Sequence, residues 1–188
     1  MTKKEIRKIT QKIRDGIKPE EKKTLDGFII KNLFTWDIYK NASYIFCYVS
    51  FRSEINTLEI LKTAMVEGKT VTVPKIDLKA GSMKAYEVKN IDEDLAPGEY
   101  GIKEPLDMCH EADYSKIDLI IAPGLGFTKK GGRLGYGGGY YDKFIQKNQN
   151  IPVCALTYDR LVLDYLPVKE HDVPVDYLIT EKCVKKTG

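Results

Sequence analysis

The sequence predicts a single-domain α/β protein: a three-layer sandwich with a mostly parallel central sheet and helices on both faces. Three observations predict it. Short apolar, β-branched runs recur at 44–49 (YIFCYV), 70–73 (TVTV), 118–122 (DLIIA) and 152–157 (PVCALT), each the length of a buried strand. Between the first two lies a stretch of helical length, 56–67, which is the β-α-β rhythm of a parallel sheet. The 188 residues suffice for one sizeable core, so residues 1–188 are expected to form one domain.

Residues 3–15, KKEIRKITQKIRD, set Ile6, Ile9 and Ile13 at spacings of three and four, an apolar helical face with lysines and arginines around the rest. That basic surface has two readings: solvated charge, or Lys3, Lys4 and Arg7 aimed at a polyanion. Gly16 stops the helix, and Pro19-Glu20-Glu21 opens another that runs to about Phe34, with proline near N1 and acids at the positive end. After the strand at 44–49, Asn56 or Thr57 caps a helix that ends near Glu67, before Gly68. The strand at 70–73 is closed by Pro74-Lys75. Ligands on parallel sheets sit beyond the carboxyl ends of the strands. Glu54, Pro74-Lys75 and the loop from Pro123 would therefore share one edge, with Glu54 either a site carboxylate or an ordinary surface one. Residues 77–117 are less regular, with a strand at 83–88 and turns or extended chain at 95–102 and 104–105.

Residues 119–144, LIIAPGLGFTKKGGRLGYGGGYYDKF, carry the densest chemistry. A buried strand ends at Pro123-Gly124. A loop follows with Gly131, Gly132, Gly135, Gly137, Gly138 and Gly139, and with Lys129, Lys130 and Arg133 among them. A helix opens at Tyr140-Tyr141-Asp142 and runs to about Lys147. Strand, glycine loop and helix together bring bare backbone N–H groups and a helix N-terminus against an anion. The patterns G-x-x-x-x-G-K-[ST] and G-x-G-x-x-G both fail here, so any phosphate loop is of another kind. The plain alternative is a flexible surface loop, but flexible linkers are rich in serine and this loop has none. Asp142, a carboxylate at the loop's edge, is expected to matter more to turnover than to folding.

Beyond the strand at 152–157 come Tyr158-Asp159-Arg160, a linker to Pro167, the pair His171-Asp172, and a last strand at 177–179. A lone histidine in a charged loop is usually exposed. The formal charge of +3, from 30 basic and 27 acidic residues, is too mild to argue for nucleic acid. No run of 18 apolar residues suggests a membrane span. Cys47, Cys109, Cys154 and Cys183 show no C-x-x-C spacing and read as reduced thiols of a cytoplasmic protein. Nothing in the sequence indicates the oligomeric state.

Pro123-Gly124-Leu125-Gly126-Phe127, followed by Gly131-x-Arg133-Leu134-Gly135-x-Gly137-x-Gly139-Tyr140-Tyr141-Asp142, resembles the signature of the 5-formyltetrahydrofolate cyclo-ligases. So, in the same order, do Lys3-x-x-Ile6-Arg7, Ser53-Glu54-Ile55-x-Thr57, Val73-Pro74-Lys75 and Asp172-x-x-x-Asp176. The resemblance implies ATP-dependent ring closure of 5-formyltetrahydrofolate to 5,10-methenyltetrahydrofolate, with Mg²⁺ as cofactor. It implies an ATP site of Lys3, Lys4, Arg7, Arg133, Leu134, Gly135, Tyr136, Gly137, Gly138, Gly139, Tyr140 and Tyr141. It implies a folate site of Val49, Glu54 and the backbone at Tyr136, Gly137, Gly138, Gly139 and Tyr140, and magnesium ligation by Asp142 and Asp172. A nucleotide- or folate-binding protein without turnover is the alternative.

Overall fold

The computed structural model describes residues 1–98 and 101–188; Glu99 and Tyr100, within the expected turn at 95–102, lie outside the described residues. The first strands are β1 (Tyr44–Cys47), β2 (Thr70–Asp77), β3 (Ser82–Val88), β4 (Leu95–Pro97), β5 (Lys103–Pro105) and β6 (Leu119–Ala122). They are followed by β7 (Gly126–Thr128), β8 (Arg133–Leu134), β9 (Val153–Leu156), β10 (Val162–Leu163), β11 (Tyr177–Ile179) and β12 (Val184–Lys186). The helices are α1 (Lys3–Asp15), α2 (Pro19–Thr35), α3 (Asp37–Asn41), α4 (Thr57–Val66) and α5 (Tyr140–Lys147).

The main sheet has the order β12-β11-β9-β6-β1-β2-β3. Its five inner strands are parallel, and β3 and β12 run antiparallel at the edges. Side chains alternate across a strand, and here both faces are apolar. Ile45, Cys47, Leu119, Ile121, Cys154 and Leu156 pack in one cluster with residues of α2, α3 and α4. Phe46, Ile120, Ala122, Val153 and Ala155 pack in the other with Phe144 and Ile145 of α5. The expected three layers are therefore present. From β1 the chain moves outward to β2 and β3, then returns to the opposite side of β1 as β6. The direction of growth reverses between β1 and β6, and the loops leaving their carboxyl ends open a crevice there.

Several local expectations are corrected. β1 ends at Cys47, two residues before Val49. Pro74 does not close β2: β1 pairs only with Thr70, Val71 and Thr72, so beyond them β2 has β3 alone as neighbour, and a missing N–H is tolerated on the open side. On α1, Ile9 and Ile13 are 46% and 39% exposed, and the buried residues are Ile6, Thr10 and Arg14. The reason is where α1 lies. It packs across the loops beyond β6 and β9, where Ile6 meets Leu125, Leu134 and Leu166, and a helix seated on polar loops does not need an apolar stripe.

The glycine-dense stretch divides in two. β7 and β8 form an antiparallel hairpin, joined by β10 into a small second sheet. Its turn carries exposed Lys129 and Lys130 and is closed by Thr128, whose Oγ1 accepts from Gly132 N at 3.0 Å. Gly131 has φ +83°, and a Cβ there would stand 2.3 Å from the Val175 carbonyl oxygen. Gly131→Ala should therefore cost at least about 2 kcal/mol, the left-handed backbone penalty plus a clash with backbone; a denaturant melt indistinguishable from wild type would refute this. Only Gly135 to Gly139 form the open loop that leads into α5.

Candidate active site

Glu54 comes from the loop after β1. Ser50 and Thr57 brace that loop: Ser50 N donates to Thr57 Oγ1 at 2.8 Å, Thr57 N donates to Ser50 Oγ at 3.1 Å, and Thr57 Oγ1 donates to the Tyr48 carbonyl at 2.8 Å. The brace turns Glu54 inward, to 9% exposure. Its Oε2 accepts from Phe51 N at 2.9 Å, and its Oε1 accepts from the Tyr136 hydroxyl. Burial raises the Glu54 pKa, against the hydrogen bonds from Tyr136 and Phe51 N. Of the two readings of Glu54, the surface carboxylate is therefore excluded.

Tyr136 belongs to the loop at Gly135 to Gly139. It joins Glu54 to α1, because Arg14 donates to the Tyr136 hydroxyl at 3.1 Å and, through Nε, to Ser53 Oγ at 3.0 Å. Arg7 Nε donates to the Gly135 carbonyl at 2.8 Å, so α1 holds the loop at two points. Gly137 and Gly139 have φ +114° and +69°, values that suit glycine, and Gly139 is the N-cap of α5. The loop therefore presents backbone and a helix N-terminus, with Gly137 and Gly138 exposed. A carboxylate from the β1 loop and an anion-suited backbone from beyond β6 thus meet over the crevice.

The profile of the 5-formyltetrahydrofolate cyclo-ligase family matches residues 1–181. The chain belongs to the 5-formyltetrahydrofolate cyclo-ligase family. It is 28% identical over 183 residues to the mouse 5-formyltetrahydrofolate cyclo-ligase, covering 92% of this chain and 90% of that protein. A probable 5-formyltetrahydrofolate cyclo-ligase of Schizosaccharomyces pombe is 33% identical over 174 residues, covering 84% of each. The NMR structure of the Aquifex aeolicus 5,10-methenyltetrahydrofolate synthetase superposes with a TM-score of 0.87 at 28% identity, covering 99% of this chain and 93% of that one.

The other cyclo-ligase residues expected from the sequence fall into three groups. Arg7 bonds the loop, Tyr136, Gly137 and Gly138 are its exposed residues, and Lys3 and Asp172 form a pair of their own. The Asp172 carboxylate also accepts from Lys169 N at 2.6 Å. Burial pushes the Asp172 pKa up, but these hydrogen bonds outweigh it and hold the carboxyl below its ordinary range. Val49, Leu134 and Arg133 are buried, and Leu134 belongs to the small cluster under α1. Lys4 is exposed, and no hydrogen bond ties it to the described residues around the loop, whereas Lys3 is held by Asp172.

Arg133 and Asp142 form an ion pair at 2.8 Å, with side chains only 3% and 17% exposed. The Arg133 guanidinium also donates to the Pro123 carbonyl at 3.2 Å and lies 5.6 Å from the Tyr141 ring centroid. Its Nε is buried without a partner. Asp142 Oδ1 also accepts from Val173 N at 3.2 Å, which brings the first turn of α5 beside the segment that carries Asp172. The premise that Asp142 is only a carboxylate at the loop's edge is corrected, since it neutralises a buried cation. Among the described residues, no group of three His, Cys, Asp or Glu side chains could hold a metal ion by itself. The carboxylates of this stretch are Asp142, held by Arg133 and Val173 N, and Asp172, held by Lys3 and Lys169 N; Mg²⁺ delivered with a nucleotide needs only one or two such ligands beside phosphate oxygens.

Sequence reasoning missed Arg14, Tyr48 and Tyr158. All three line the narrow cleft beneath Glu54, together with Gly124 and Leu161. Arg14 could have been found: it lies seven residues after Arg7, two helical turns on, and so on the same face. His171 is exposed. Asp176 serves the sheet, accepting from Val153 N at 2.8 Å.

Proposed function

We propose that the chain converts 5-formyltetrahydrofolate to 5,10-methenyltetrahydrofolate, with ATP going to ADP and phosphate. The observation that carries this is the junction at Tyr136, where a side chain of the anion-suited loop is bonded to the inward carboxylate of the β1 loop. Two ligand sites that share one wall suit a reaction in which one ligand phosphorylates the other. The formyl oxygen attacks the γ-phosphorus and ADP leaves. N10 then attacks the activated formyl carbon, its proton is lost to solvent, and phosphate departs with the formyl oxygen.

Such a transfer needs positioning and neutralised charge more than covalent help. Lys3 and Arg7 supply the charge, with Lys4 contributing from the exposed side of the same helix end, and Arg133 acts through Asp142, which it holds in place. Leu134 to Tyr141, including Gly135, Gly137, Gly138, Gly139 and Tyr140, supply backbone N–H groups and the α5 N-terminus for the triphosphate. Asp142 and Asp172 are the residues that would hold magnesium arriving with ATP, which would shield phosphate charge. Val49 and Glu54 form the folate side, with the backbone of Tyr136 to Tyr140 between the two ligands. A carboxylate only accepts, so Glu54 suits the N–H-rich edge of a reduced pterin.

Mixing protein, MgATP and 5-formyltetrahydrofolate should produce the absorbance of the methenyl product, with one ADP per product. Folded protein that binds both ligands and makes no product would leave the binding-only reading in its place.

A further inference from the structure

Tyr48 follows β1 and is 4% exposed. Its carbonyl is used, accepting from Thr57 Oγ1 at 2.8 Å, but its hydroxyl has no hydrogen-bond partner among the described residues. Buried tyrosine hydroxyls usually find one. Nor is this hydroxyl sealed in apolar surroundings. Arg133 Nε is the one buried, sealed and unpartnered side-chain polar atom among the described residues, so the Tyr48 hydroxyl still touches open space. Tyr48 also lines a narrow cleft with Glu54, Arg14 and Tyr158. Burial, then the Glu54 carboxylate, push the Tyr48 phenol well above its usual range, so it stays a neutral donor beside an anion.

The other hydroxyls lining the cleft are committed. Tyr158 donates to Asp26 Oδ1 at 2.6 Å, and Thr157 Oγ1 donates to the Tyr158 carbonyl at 3.4 Å. Tyr136, at the cleft's mouth, is bonded to Glu54 and Arg14. Its hydroxyl occupies Glu54 Oε1 much as a ligand N–H would. Beside Glu54 the cleft therefore offers an acceptor-only carboxylate and, from Tyr48, a hydroxyl donor. A reduced pterin has the matching edge: an amino group and a ring N–H, next to a ring carbonyl.

We propose that Tyr48 reads the substrate, its hydroxyl donating to the ring carbonyl adjacent to the N–H groups that Glu54 accepts. This rests on the cyclo-ligase reading and adds a specificity residue to it.

Tyr48→Phe removes the hydroxyl and keeps the ring. Steady-state kinetics should show KM for 5-formyltetrahydrofolate rising about fivefold to tenfold, the worth of one neutral hydrogen bond. kcat should fall far less than kcat/KM, because the contact is made equally in ground and transition states, and KM for MgATP should not move. Calorimetry without nucleotide should show the same loss in folate affinity. The melting temperature should stay level or rise, since the hydroxyl makes no bond to another described residue. An unchanged folate KM would overturn the proposal. So would a melting temperature several degrees lower, or failure to fold, because either would make the hydroxyl structural. Wild-type protein that neither binds nor turns over 5-formyltetrahydrofolate would instead sink the cyclo-ligase reading, and this proposal with it.

Discussion

Asp142→Ala should cost about 3–5 kcal/mol of folding stability, the usual penalty for removing one partner of a buried ion pair, and should also remove turnover. The stability loss follows from Arg133. Its side chain is 3% exposed, its Nε already lacks a partner, and without Asp142 the guanidinium keeps only the Pro123 carbonyl and the Tyr141 ring. Val173 N would lose its acceptor as well. The midpoint of a urea melt should fall with little change in slope. Asp142→Asn, which keeps an oxygen for Val173 N, should be the milder lesion in stability while still losing turnover. A midpoint equal to wild type for Asp142→Ala would show that the pair contributes nothing to the fold.

Glu54→Ala should lower kcat/KM for the folate substrate by about 10²-fold or more, the loss of two charge-assisted hydrogen bonds. The same carboxylate should set the acid limb of the pH profile. Only the ionised form accepts from both ligand N–H groups. Protonation blocks one oxygen, so folate binding weakens as pH falls through the Glu54 pKa. Burial raises that pKa, so the acid limb of kcat/KM, which reports the free enzyme, should lie above the ordinary glutamate range. For stability the sign is the opposite: a carboxyl whose folded pKa is raised favours the protonated protein, and that contribution is lost as pH rises through the folded value. Glu54 therefore favours binding at neutral pH while disfavouring folding there. An acid limb at the ordinary glutamate value, or one that persists in Glu54→Ala, would remove Glu54 from this role.

The central sheet was legible because its signal is local. Apolar runs of strand length, punctuated by glycine and proline, identified β1, β2, β3, β6, β9 and β11 with only shifts at their ends. The edge strand β12 was missed, since Val184-Lys185-Lys186 is mostly polar, as exposed edges are. Glu54 and the loop after β6 were placed on one edge by the connection rule for parallel sheets, without any knowledge of side-chain contacts.

The sequence by itself determined the layered α/β architecture, the family, and the placement of a carboxylate loop and a glycine loop on one edge of the sheet. These follow from short-range periodicity and from chain connectivity, which a linear pattern records. Only the tertiary structure decided that Arg133 is spent on Asp142, that Gly131 belongs to a hairpin turn, that Arg14 rather than Ile9 or Ile13 faces inward, and that the Tyr48 hydroxyl bonds no other described residue. Each depends on which groups from distant parts of the chain come within hydrogen-bond reach. Burial then makes those pairings costly to break, and no local pattern encodes either the distance or the burial.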